Sequence, residues 1–186
     1  MDNLYQTPSA DLLVEPAPAT GNFFVTAENK LYLLYFTTFG LYSIYWFYKH
    51  WDSQRHAMRP KDISPAARSI FQIFFTHSLC RLISARGQAQ GREPWKYAST
   101  AWAYVLLVFC SNGLSRIDSG TGIGELALII GSTMVPAIPL TLIQRQANLA
   151  SGDATGQGNS RISPRNLLFL IPGVLLWLLI LAGTLI

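Results

Sequence analysis

The sequence predicts an all-α membrane protein with about four transmembrane helices and one amphipathic helix that is interfacial or re-entrant. Three observations carry this. Half of the 186 residues are hydrophobic and only 13% are charged, with a positive mean hydropathy, a balance unusual for a water-soluble domain of this length. Uncharged runs at 31–48, 97–115, 126–144 and 166–186 reach the length needed to cross a hydrocarbon core about 30 Å thick at about 1.5 Å per residue. The cations lie in the segments beside these runs, so a net charge of +4 points to an anionic membrane surface and not to nucleic acid.

The first 29 residues carry Asp2, Asp11, Glu15, Pro8, Pro16 and Pro18 and no basic n-region, which predicts a mobile tail and no cleavable signal peptide. Phe23, Phe24 and Val25 are expected to touch the membrane interface. From residue 30 onward the chain reads as a single helical membrane domain. In its first run, 31–48, Tyr32, Tyr35, Phe39, Tyr42 and Trp46 recur at spacings of three and four, which places five rings on one stripe of a continuous helix. Thr37, Gly40 and Ser43 are small, and small residues allow close helix packing in lipid. The aromatic stripe is expected to pack on helices and headgroups, with a ligand groove as the alternative.

Nine of the fourteen Lys and Arg residues fall between Lys49 and Lys96, which marks that segment as cytoplasmic. Within it, Ser64 and Pro65 form a helix start signal. The uncharged part, 69–80, is too short to span, so residues 65–83 are expected to lie in or re-enter the interface. Phe71, Phe75 and Leu82 share one side of that helix; Ser69, Gln72 and Thr76 share another. The runs 97–115 and 126–144 follow as spans, the latter kinked by Pro136 and Pro139, with Thr133 and Thr141 as candidates to satisfy the carbonyls those prolines free. Residues 150–162 read as a polar linker, and 166–186 as a Leu-rich last span. Four spans with both termini outside leave only Lys30 and Arg116 away from the cytoplasmic face.

His77 and Arg81 lie one helical turn apart with Cys80 between them, but no second ligand cluster of metal-binding spacing accompanies them. Together with Trp46, Lys49 and Trp51 they are the candidate lipid-headgroup or interaction residues. Cys80 and Cys110 sit in apolar surroundings and suggest no disulfide framework. The GTGIG run from Gly120 lacks the Gly-Lys-Ser/Thr of a phosphate loop. No metal, cofactor or catalytic residue is expected.

The run from Phe23 to Trp51, ISPAARSIF from Ile63, Pro139 with Gln144, Arg145 and Asn148, and RISPRN from Arg161 together resemble a family of small, uncharacterised bacterial inner-membrane proteins with an aromatic first helix. The resemblance implies a multi-pass inner-membrane location and no established activity. The four spans contain no Asp, Glu, Lys, Arg or His, whereas proton relays and ion-coupled transporters place such groups inside the membrane. No nucleophile and base face each other there either, which argues against an enzyme. The expectation is a structural or interaction component of the envelope, in contact with anionic headgroups and with a membrane-protein partner or its own copies; the alternative is a small permease or pore-forming homo-oligomer.

Overall fold

A computed structural model describes residues 22–60, 62–114, 116 and 122–184; the greater part of the expected N-terminal tail lies outside this range. Seven α-helices make up the described chain, with no strand among the described residues: α1 (Glu28–Thr37), α2 (Tyr42–Gln54), α3 (Pro65–Ile70), α4 (Gln72–Ala89), α5 (Ala98–Leu114), α6 (Gly122–Ala150) and α7 (Pro164–Thr184). Of these, α6 and α7 are long and apolar enough to cross a membrane, and α5 is a shorter apolar helix.

The expected first span is not one helix. After Thr37 the Phe39 N–H bonds the Phe36 carbonyl at 3.2 Å and the Gly40 N–H bonds the Tyr35 carbonyl at 2.8 Å, the paired bonds of a Schellman helix stop. Phe39 (φ 54) and Gly40 (φ 83) are both left-handed. Thr38 ties the two sides together: its hydroxyl donates to the Leu34 carbonyl at 2.7 Å and accepts the Tyr42 N–H at 2.9 Å. The chain then turns back. Phe24, ahead of α1, packs against Tyr45 and His50 of α2 at 6.3 and 5.9 Å, whereas one continuous helix would set Phe24 and His50 about 40 Å apart. The five rings therefore share no stripe, and the segments before α1 and after α2 lie on the same side of the molecule, contrary to the expected crossing.

Why the stop holds at an aromatic residue is visible in α7. The Trp177 ring lies between Phe36 and Phe39, each stacked at a centroid distance of 4.6 Å, and its indole donates to the Phe36 carbonyl at 3.2 Å. Such ring pairs contribute about 0.5–1.5 kcal/mol each beyond burial, enough to offset a left-handed non-glycine residue. Gly173 lets α7 approach that closely, because a Cβ there would stand 2.1 Å from the Thr37 carbonyl oxygen.

Ser64 caps α3 as expected, accepting the Ala67 N–H at 3.3 Å with Pro65 in the first turn. The helix expected at 65–83 breaks at Phe71 (φ −92, ψ 35) and continues as α4 to Ala89. Leu79, Cys80 and Ile83 are buried against α5 and α6, so α4 is a member of the bundle and not a strip lying apart on its surface. α6 runs unbroken through Pro136 and Pro139. Thr133 and Thr141 donate to the carbonyls of Ile129 and of Ala137 and Ile138, one turn behind themselves, and not to those of Ser132 and Val135 that the prolines vacate.

At the polar end one further expectation is corrected and the expected linker is given its shape. Residues 23–26, placed in the mobile tail, form an extended strap whose four carbonyls each accept a side-chain donor: Ser151 on Phe23, Gln144 on Phe24, Asn159 on Val25 and Asn148 on Thr26. Residues 150–162, expected as a linker, fold around Asp153, whose carboxylate accepts the Gly158 and Gln157 N–H groups at 2.7 and 3.0 Å. The same loop contacts the strap, since a Cβ on Gly156 would lie 2.3 Å from the Thr26 oxygen.

These contacts sort the molecule into two ends. Asn22 bonds Gln54 and Arg86, Ser84 bonds the Trp95 carbonyl, and Gln90 bonds the Ala150 carbonyl. The strap, the end of α2, the α4–α5 connection and the α6–α7 loop thus share one end, with Lys30, Lys49, Arg86, Arg92, Lys96, Arg145, Arg161 and Arg165. From it α5 leads away, α6 returns and α7 leads away again, while the α1–α2 hairpin turns back partway, roughly 14 Å along α7 at Gly173.

Candidate functional site

The hairpin tip does not fill the bundle. Beyond it lies a cavity of about 420 Å³ bounded by the Phe39–Ile44 turn, the start of α4, the middle of α5 and α6, and Ile180 of α7. Its polar lining comes from Tyr35, Ser43, Gln72, Tyr104, Ser111, Asn112, Ser132 and Thr133, and among the described residues no charged side chain lines it. Part of this lining is a relay of neutral groups: the Tyr104 hydroxyl donates to Gln72 Oε1 at 3.1 Å, and Gln72 Nε2 donates to Ser43 Oγ at 3.0 Å. The break at Phe71 makes Gln72 the first residue of α4 and directs it at both partners. Tyr104 and Ser43 are buried, so the relay is fixed by its surroundings. A chain of hydroxyl and amide groups offers both donors and acceptors to an uncharged polar guest and no net field to an ion.

A second polar cluster joins the hairpin to α6. Gln144 Oε1 accepts from the Trp46 indole and lies 3.3 Å from His50 Nε2, while its amide nitrogen donates to the Phe24 carbonyl and to Asn148 Oδ1 at 2.9 and 2.6 Å. All of Trp46, His50, Gln144 and Asn148 are fully buried. Burial pushes His50 down from its ordinary value to about 3, partly offset by its bond to Gln144, so the ring is neutral. At the rim, burial also lowers Lys30, and the Asp153 carboxyl is held below the usual range by the loop N–H groups it accepts, that of Gly158 first.

The five candidate residues do not form one site. Trp46 and Trp51 are each 0% exposed and present nothing to a headgroup or partner; the aromatic end of a presumed span turns out to be the returning arm of the hairpin, packed inside. Arg68 lies over the Trp51 ring at 4.3 Å. His77 packs edge-on against Trp102 of α5 at 4.7 Å, Arg81 is exposed, and Lys49 is half-buried at the basic end. Among the described residues no three His, Cys, Asp or Glu side chains lie close enough to hold a metal. Sequence reasoning missed Gln72 and Tyr104, which carry the relay. A glutamine at the start of an apolar helix was the available signal, and it was read as one polar face of an in-plane helix. The chain matches no family model, no curated protein and no solved structure.

Proposed function

We propose that this is a multi-pass protein of the bacterial inner membrane that admits a small uncharged polar solute to the cavity at the hairpin tip, that is, a small permease. The observation that carries the reading is the neutral Tyr104–Gln72–Ser43 relay at the head of a 420 Å³ cavity, opened by a helix break well inside the bundle. Irregular backbone at membrane depth is tolerated only where it is buried in protein or lines a polar cavity, and discontinuous helices form solute sites in transporters. The absence of charged lining among the described residues of this cavity suits passive movement of a neutral solute and gives ion coupling no group to act through.

Membrane residence is supported by the outer faces. Leu175, Leu178 and Leu179 of α7 are 56%, 57% and 68% exposed, a surface that water does not favour and lipid does. In this reading α5, α6 and α7 cross, α1–α2 is re-entrant, and the basic end with the strap is cytoplasmic. The N-terminal segment then has no need to be translocated. The expected envelope-assembly role rested on an aromatic first helix available to partners; its rings are spent within the fold, so that role is the second reading, now resting on the exposed faces of α5 and α6.

The test is flux of glycerol and urea into proteoliposomes, followed by light scattering. Entry several-fold faster than in protein-free vesicles, reduced about tenfold by Gln72→Leu, supports the permease; equal rates with and without protein for both solutes reject it. Orientation is tested by impermeant thiol labelling of spheroplasts in a background lacking Cys80 and Cys110. Arg116→Cys is expected to label, and Asn29→Cys, Ser53→Cys and Ser160→Cys to stay protected; labelling of Asn29→Cys from outside overturns the re-entrant topology.

A further inference from the structure

A second cavity, of about 410 Å³, lies at the basic end between the strap, α1, α2 and the first turns of α7. Lys30, Lys49 and Arg165 line it, and among the described residues no Asp or Glu does. Lys30 is only 5% exposed. Its ammonium donates to Asn159 Oδ1 at 2.6 Å and to the Arg161 carbonyl at 2.8 Å, both neutral acceptors, which leaves one of its three N–H donors unspent. Neither Lys49 nor Arg165 has an ion-pair partner among the described residues; the one pair found there joins Arg145 to Glu28, at 3.9 Å. Gathering three cations around one cavity, one of them buried, costs free energy unless an anion is placed between them.

The other wall is apolar. Phe169 packs against Tyr42 and Tyr45 at 5.7 and 5.4 Å, and Leu168 beside it is 76% exposed, continuing onto the bare surface of α7. A ligand that fits both walls has an anionic head with several acceptor oxygens and an apolar part leading outward along α7.

We infer that this cavity is a phosphate-ester site, with Lys30, Lys49 and Arg165 on the phosphate and Tyr45 and Phe169 beside its organic part. Arginine and lysine suit that group, the guanidinium by paired hydrogen bonds and the ammonium as a point charge. The ligand is either the headgroup of an anionic phospholipid or a soluble phosphate, and both present the same chemistry. This site is separate from the neutral cavity and its occupancy does not depend on solute flux.

The experiment is binding to the full chain in a neutral detergent, read by native mass spectrometry and thermal shift. The probes are phosphatidylglycerol, phosphatidylcholine, glycerol 3-phosphate and inorganic phosphate. Retention of phosphatidylglycerol at least tenfold above phosphatidylcholine identifies the lipid as the source; saturable binding of the free phosphates alone identifies a soluble ligand. In either case Lys49→Gln with Arg165→Gln is expected to weaken binding tenfold or more, while the unliganded protein melts at the same temperature or higher because mutual repulsion is relieved. Both substitutions are at partly or fully exposed positions, so folding is retained. Binding that is unchanged in the double variant, or no preference for phosphatidylglycerol together with no binding of either free phosphate, overturns the proposal.

Discussion

At the basic end the strap hands each of its four carbonyls to an amide or hydroxyl side chain, while α7, leading away from it, leaves Leu175, Leu178 and Leu179 bare. The contrast separates two sources of order. Helices such as α7, long and apolar enough to cross a membrane, satisfy their backbone along their own length. The strap and hairpin have no such ladder to each other, and the strap's position depends on a few polar side chains of α6 and of the loop that follows it. An unpaired buried carbonyl or N–H costs about 1–3 kcal/mol, so substitutions on the two halves of the molecule are expected to differ sharply in effect.

The largest effect is expected at Gln144, whose amide serves Trp46, His50, Phe24 and Asn148 at once. Gln144→Leu leaves several buried groups unpaired and is expected to cost about 3–5 kcal/mol, with amide exchange rising first in residues 23–26. By contrast Leu179→Gln, on the bare face, is expected to impair membrane insertion and leave exchange in the strap unchanged. If Gln144→Leu melts within a degree of the parent protein, the strap is held by something other than these bonds.

How much of this was legible in the sequence follows the same division. The apolar runs read as 97–115 and 166–186 became α5 and α7, whose starts lie within two residues of the expected ones, because those starts depend on local composition. Ser64 and Pro65 worked as the start signal they resemble. The hairpin was not legible. Thr37, Thr38, Phe39 and Gly40 are all uncharged, one glycine is a weak breaker, and the stop is selected by Trp177, far along the chain. The uncharged run 126–144 marks only part of α6: Gln144 and Asn148 are polar because they face the strap, and the helix continues to Ala150. The cavity relay was illegible for the same cause, since Gln72 gains its partners only through the break before it.

A smaller effect is expected at the tip. Gly173→Ala puts a Cβ 2.1 Å from the Thr37 oxygen, and α7 must move away from the hairpin. A loss of about 2–3 kcal/mol is expected, with Trp177 fluorescence shifted by the separation of its ring from Phe36 and Phe39. An unshifted spectrum in a destabilised variant would mean that the bundle yields elsewhere.

His50 turns the comparison into a pH dependence. Its folded value near 3 lies below the ordinary 6.5, so the unfolded chain takes up the proton more readily, and the contribution to stability is full above about pH 6.5 and is lost as pH falls. Between pH 7 and 5 the loss is about 2 kcal/mol. It is expected to be absent from His50→Asn, whose stability over that range should be nearly flat. Parallel curves for the two proteins would show that His50 is reached by water.

The smallest effect is expected at the one ion pair among the described residues. Glu28 and Arg145 join α1 to α6 at the strap end with a separation of 3.9 Å, and their side chains are 41% and 64% exposed. In that setting the Coulomb attraction is screened and two long side chains lose rotamer freedom, so the pair contributes at most about 0.5 kcal/mol. Arg145→Gln is therefore expected to shift the melting temperature by no more than a degree or two, although it stands next to Gln144 in the chain. The adjacent pair of variants separates what a charged contact and a buried amide each contribute to holding the same strap. Should Arg145→Gln prove as damaging as Gln144→Leu, the polar end would have to be described as an electrostatic clamp, and raising the salt concentration should then loosen residues 23–26.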